Sequence, residues 1–223
     1  MSAVATSYLE LVEKLPPNSV LILNNVPWDD YENLLEEREG QRRVRITYDR
    51  GKLEIMTLSA EHEGFKSLLA HLVAILAEEM NQVLIGRGSV TLRRELTDSG
   101  VEPDDCYYIR HAAEIRGKKR IDLKNDPPPD LVIEVDVASP SLNKLPLYAA
   151  LGVPEVWRLK GDDLKFYRLV EGEYLELAAS DLFPFLPPSV LMDYLRLGDS
   201  EDIIVMNRAF REWVRQHRPA GQA

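Results

Sequence analysis

The chain has 223 residues, 45% of them hydrophobic, a single cysteine (Cys106) and a net charge of −10. That length suits one domain with extensions, the apolar content supplies a sizeable core, and a lone cysteine excludes a disulfide framework or a cysteine-rich zinc site. The acidic balance argues against a broad basic face for non-specific nucleic-acid binding, but not against a site of carboxylates neutralised by a bound cation. The opening MSAVATSYLELVEKLPP lacks the basic and then apolar regions of a signal peptide, and no window reaches the roughly 18 apolar residues of a membrane span. The expectation is a protein of the reducing cytoplasm without membrane contact.

In chain order, a short amphipathic helix precedes LPPNSV and the apolar run VLIL. WDDYENLLEER predicts a helix with acids in its first turn and Gly40 as its stop. RRVRITYDRGKLEIMT alternates as two strands around Asp49-Arg50-Gly51, a hairpin. The longest helix is expected from Glu61 to Met80, with Phe65, Leu68, Leu69, Leu72, Val73, Leu76 and Met80 on one stripe. VLIGRGSVTLRRELTD and VEPDDCYYIR read as strands, the second broken early by Pro103-Asp104, and HAAEIRGKKRIDLKND as a loop or short helix. DLVIEVDV is the central strand, and LNKLPLYAALG is a helix with Pro146 in its first turn and Gly152 as its stop. VPEVWRLKGDDLKFYRLVEGEYLELAAS gives three strands turning at Gly161-Asp162 and Glu171-Gly172, and the tail is helical. The pattern is α/β or α+β: one domain over 1–223 with a mixed central sheet flanked by helices.

The central strand poses the chemical question. In PPPDLVIEVDVASPS, period two puts Asp130, Val132, Glu134 and Asp136 on one face and Leu131, Ile133, Val135 and Val137 on the other. A buried carboxylate is normally paired or metal-bound, because leaving it alone costs several kcal/mol. Asp130 also reads as a cap for the turn after the prolines, Asp136 as a solvated strand end, and Glu134 as half of an ion pair. Asp104 opens another strand after Pro103, so Asp104 and Glu134 on neighbouring strands could supply the two carboxylates that Mg²⁺ accepts beside its waters. Lys144 stands at the first turn of a short helix just past that strand, the arrangement an anionic phosphoester and an activated water would use.

Pro103-Asp104, then Glu134, then a lysine resembles the PD-(D/E)-x-K nuclease superfamily. More closely, EHEGFKSLLAHLVAIL, VEPDDCYYI, PDLVIEVDVASPS, NKLPLYAALGVPEVWRL and FPFLPPSV resemble the bacterial Uma-type restriction-endonuclease family, over about residues 28–190. The resemblance implies a restriction-endonuclease-like fold with extra N-terminal and C-terminal helical elements, the latter over about 187–217. It implies that Asp104 and Glu134 bind Mg²⁺ (or Mn²⁺) and that Lys144 activates or orients the attacking water. Asp136 stands where the superfamily expects lysine, and Lys144 is its replacement. His62 and Glu63 match an accessory position, though a histidine at a helix start also reads as a cap or packing residue, and helical geometry sets Glu61 and His62 nearer the core than Glu63. The expected partners are DNA and a second copy of the chain. Arg116, Lys118, Lys119 and Arg120 form a candidate phosphate-contacting loop, Arg93 and Arg94 a weaker one, and a solvated charge run is the competing reading of both. The competing function is a binding or regulatory protein that retains the fold without efficient cleavage.

Overall fold

Strand formation here follows the hydrophobic pattern closely. A computed structural model of the chain describes residues 15–37, 44–136 and 142–219. The helix expected at the very start, the Gly40 stop and the Val137–Ser141 end of the acidic motif lie outside them. The strands are β1 (Val20–Leu23), β2 (Val44–Asp49), β3 (Lys52–Thr57), β4 (Ile85–Gly86), β5 (Leu92–Arg94), β6 (Ser99–Val101) and β7 (Asp105–Tyr108). They continue as β8 (Leu131–Asp136), β9 (Glu155–Lys160), β10 (Asp163–Val170) and β11 (Glu173–Leu177). The helices are α1 (Trp28–Glu37), α2 (Ala60–Glu79), α3 (Ala112–Ile115), α4 (Leu145–Leu151), α5 (Pro188–Ser200) and α6 (Ile203–His217). None is long and apolar enough to cross a membrane.

The expected mixed sheet has the order β11-β10-β9-β8-β7-β4, with β8 and β9 parallel and α4 as their crossover. Its inner strand β8 is buried on both faces, as parallel pairing with helical cover requires. Leu131, Ile133 and Val135 join Trp157, Leu159 and Phe166 in the core under α2, α5 and α6. Val132 joins Cys106, Val156 and the α4 residues Leu147, Tyr148 and Leu151 in a second cluster.

One correction concerns the first half of the chain, which forms a separate antiparallel sheet, β1-β3-β2-β6-β5. Its hairpin turns on Arg50 and Gly51, both at positive φ, as a two-residue turn matched to strand twist demands. The stretch read as one strand from Val83 to Asp98 is instead divided: β4 pairs in one sheet, β5 in the other, and Glu95–Thr97 is a 3₁₀ turn. The chain passes between sheets through Glu102-Pro103-Asp104, where proline lacks the N–H that would continue a ladder. Tyr31 of α1 packs so closely on β6 that a Cβ at Gly100 would lie 2.0 Å from its hydroxyl.

The C-terminal helices pack on α2, contributing Leu191, Leu195, Phe210 and Val214 to the main core. Glu79, at the end of α2, accepts hydrogen bonds from Arg211 at 2.7 Å and Arg215 at 2.9 Å and 3.0 Å, and its carbonyl accepts one from Arg218. The Arg215 bonds, reinforced by Arg211, hold the Glu79 carboxyl below the usual carboxylate range. A depressed acid stabilises the fold above its ordinary pKa and loses that effect as pH falls through the folded value. Glu79→Gln should therefore cost about 1–2 kcal/mol at neutral pH after allowance for solvent screening. In urea denaturation the gap between variant and wild type should narrow as pH falls below the ordinary carboxylate range, and a gap that persists unchanged in acid would mean the arginines act through packing alone.

Candidate active site

Extending the β7–β8 register, in which Asp105 faces Ile133 and Cys106 faces Val132, sets Asp104 directly opposite Glu134. Directly opposed residues share a sheet face, with Cβ atoms about 5 Å apart. Lys144 is the residue at the start of α4, and Tyr148 follows one turn later on the same helix face. Both turn onto Glu134: the Lys144 ammonium donates to Oε2 at 2.7 Å, and the Tyr148 hydroxyl donates to Oε1. Glu134 is 3% exposed and Lys144 6%, so this is a buried ion pair.

Asp104 is fully buried. Its Oδ2 accepts the Val135 N–H at 2.8 Å and lies 3.0 Å from His62 Nε2, off the line of a hydrogen bond. Its Oδ1 lies 3.5 Å from Arg45 Nε. Asp104 Oδ1, Arg45 Nε and both His62 nitrogens are buried without a hydrogen bond among the described residues. Glu63 stands behind them, 3.3 Å from His62 Nδ1 and 3.8 Å from Arg45.

These environments drive the two acids apart. Burial pushes the Glu134 carboxyl from its ordinary 4.5 up to about 7, against the pull of Lys144 and with Asp104 and Asp136 adding to it. Burial would raise Asp104 too, but His62, Lys144 and the Val135 N–H hold it below the ordinary range. Burial alone would discharge Lys144, and Glu134 and Asp104 reverse that, keeping it a cation. His62 is likewise raised, Asp104 and Glu63 outweighing its burial.

Asp104, Glu134 and Lys144 thus meet as expected, with His62 and Glu63 beside them, while Glu61 points to solvent. Asp136 is held by Arg158, its Oδ2 accepting from Nε at 2.7 Å. Asp130 is structural, accepting from the Ile109 and His111 backbone and the His111 ring. Arg116, Lys118, Lys119 and Arg120 are exposed on the connection between the far ends of β7 and β8, which joins β8 at Leu131, itself about 10 Å along the strand from Glu134. Lys118 there pairs with Asp126. Arg93 pairs with Glu32, and Arg94 donates to the Ala150 and Leu123 carbonyls.

Four neighbours escaped the sequence reading. Tyr148 had a signal, its four-residue spacing from Lys144. Arg45, Glu54 and Arg158 reach the site only through sheet pairing and packing. Glu54, 1% exposed, accepts the Leu142 N–H at 2.7 Å and so fastens the approach to Lys144.

Two opposed hard carboxylates, one with a buried oxygen that accepts no hydrogen bond, fit a small divalent cation that keeps several waters. Among the described residues, no group of three or more His, Cys, Asp or Glu is arranged to hold a metal ion.

The family model Uma2, described as "Putative restriction endonuclease", matches residues 28–196, and the chain belongs to that family. A crystal structure described as a "putative nuclease belonging to DUF820" from Anabaena variabilis shares 15% identity at a TM-score of 0.49. The match covers 82% of this chain and 99% of that one. No match was found among curated proteins.

The raised Glu134 carboxyl carries a stability signature. An acid raised in the folded state stabilises most below its ordinary pKa, and that contribution is lost as pH rises through the folded value. Wild-type stability should therefore decline between pH 4.5 and about 7, and Glu134→Gln should flatten that decline. Urea denaturation across this range measures it, and parallel curves for the two proteins would contradict the assignment.

Proposed function

We propose that this member of the restriction-endonuclease family is a Mg²⁺- or Mn²⁺-dependent endonuclease that hydrolyses DNA phosphodiester bonds. The observation that carries the reading is Asp104, one residue before β7, standing opposite Glu134 of β8 in the extended register, with Lys144 seated against Glu134. Asp104 and Glu134 would hold the cation, which polarises the scissile phosphate and lowers the pKa of a bound water. Asp104 stays ionised because His62, Lys144 and the Val135 N–H favour its charge. Lys144 remains charged in a nearly water-free position, where one fixed cation stabilises developing phosphoryl charge far more than it would in water. Tyr148 fixes the orientation of the Glu134 carboxylate, and Leu142 and Leu145 wall the pocket beside it. A homodimer would bring two such sites to the two strands of a duplex.

One observation favours a second reading, a nucleic-acid-binding protein that does not cut. Each acid already has a cationic neighbour, Lys144 for Glu134 and the Arg45–His62 pair for Asp104. Plasmid relaxation with Mg²⁺ or Mn²⁺, beside calorimetry with Mn²⁺, separates the two. The endonuclease reading expects metal-dependent nicking that Glu134→Ala abolishes and Lys144→Ala slows about 100- to 1,000-fold. Absence of both cleavage and metal binding in the folded wild type would sink it.

A further inference from the structure

Asp136 occupies the place in the strand where a catalytic cation would stand, and it instead holds one. Arg158 lies on β9 directly beside Glu134 in the parallel register, on the same sheet face. Its guanidinium leans one step along the sheet to Asp136, leaving a side chain that is 26% exposed at the pocket rim. Lys144, by contrast, is enclosed and committed to Glu134. The pocket thus has an inner cation and an outer one, each tied to a different acid of the same strand.

Resting on the endonuclease reading, we infer that Arg158 is the residue that grips a phosphate of the nucleic-acid backbone next to the scissile bond, with Asp136 as its positioning residue. A guanidinium has five N–H donors in a fixed fork. Among the described residues Nε alone is engaged, so the terminal N–H groups are available at the pocket mouth. Planar two-point donation matches a phosphodiester, and a cation held at one edge by a carboxylate keeps its outer edge in a defined direction. Arg158 is the more exposed half of the pair, 26% against 9% for Asp136, so a phosphate can join its outer edge while Asp136 keeps the inner one. Lys144 could not take this role without abandoning Glu134 in the interior.

The test is the affinity of a fluorescent DNA duplex for the full chain in metal-free buffer, read by anisotropy over a salt series, with Mn²⁺ calorimetry alongside. Arg158→Ala should weaken binding about tenfold and make the log–log salt slope shallower by about 0.9, the loss of one phosphate contact. Arg158→Lys should keep the slope and lose part of the affinity, since charge survives without the fork. Mn²⁺ affinity should remain that of the wild type in both. Arg196→Ala removes an equal charge from exposed α5, on the other side of the sheet, and should leave the slope unchanged. Equal losses for Arg158→Ala and Arg196→Ala, or a lysine variant as impaired as alanine, would overturn the assignment, as would loss of Mn²⁺ binding in Arg158→Ala. A folded wild type that binds no DNA but takes up Mn²⁺ would overturn both this inference and the DNA substrate. Wild-type binding and cleavage with an unaffected Arg158→Ala would overturn this inference alone.

Discussion

The site depends on one register. Because Asp105 pairs with Ile133, Asp104 faces Glu134, and a carboxylate from the connection between two sheets meets one from the middle of a buried strand. Everything else at the site answers the electrostatic problem this creates. Two like charges in a low-dielectric interior repel strongly, and each must be compensated or protonated. Lys144 and Tyr148 arrive from the crossover helix, Arg45 and His62 from the other sheet and the long helix. The two-layer architecture is what lets four elements converge on so small a volume.

The compensation is unequal. Asp104 has backbone, imidazole and ammonium neighbours that hold its carboxyl below the ordinary range, whereas burial, with Asp104 and Asp136 nearby, raises the Glu134 carboxyl in spite of Lys144. On the proposed endonuclease reading, a divalent cation would add positive charge between two acids whose environments already differ. Two of the residues lining the pocket, Lys144 and Arg158, are cations set beside the acids Glu134 and Asp136.

Much of this was legible in the chain. The apolar run around Glu134, the proline before Asp104 and the lysine opening a short helix marked the pocket because burying charge is costly enough to demand a reason. The hairpin was readable from Arg50-Gly51, and the long helix from its stripe. Arg158 was not readable, because β8 and β9 pair in parallel across a crossover and no local spacing announces which residues become neighbours. The split into two sheets was hidden for a similar reason: β4 and β5 are two and three residues long, too short for a period to declare itself. The basic loop at 116–120 is the opposite case, since a cluster of charges is conspicuous in sequence wherever the fold happens to put it, here on the connection between the far ends of β7 and β8.

The three-residue passage Glu102-Pro103-Asp104 acts as a ruler. Glu102 is tied at one end, accepting from the Ile46 N–H and the Thr91 hydroxyl, and β7 begins immediately after the other. A residue removed there would slip β7 by one and exchange its faces. Another aspartate, Asp105, is already next in line, so the slip would still set an acid before Glu134. The failure would come on the reverse side, where Asp105 now rests on the Tyr107 hydroxyl and the Cys106 N–H and a neighbouring side chain would have to take its place against the helices. The doubled aspartate therefore offers no tolerance to length change at this joint, whereas the exposed loop between β7 and β8 is where the family could lengthen without disturbing the pocket.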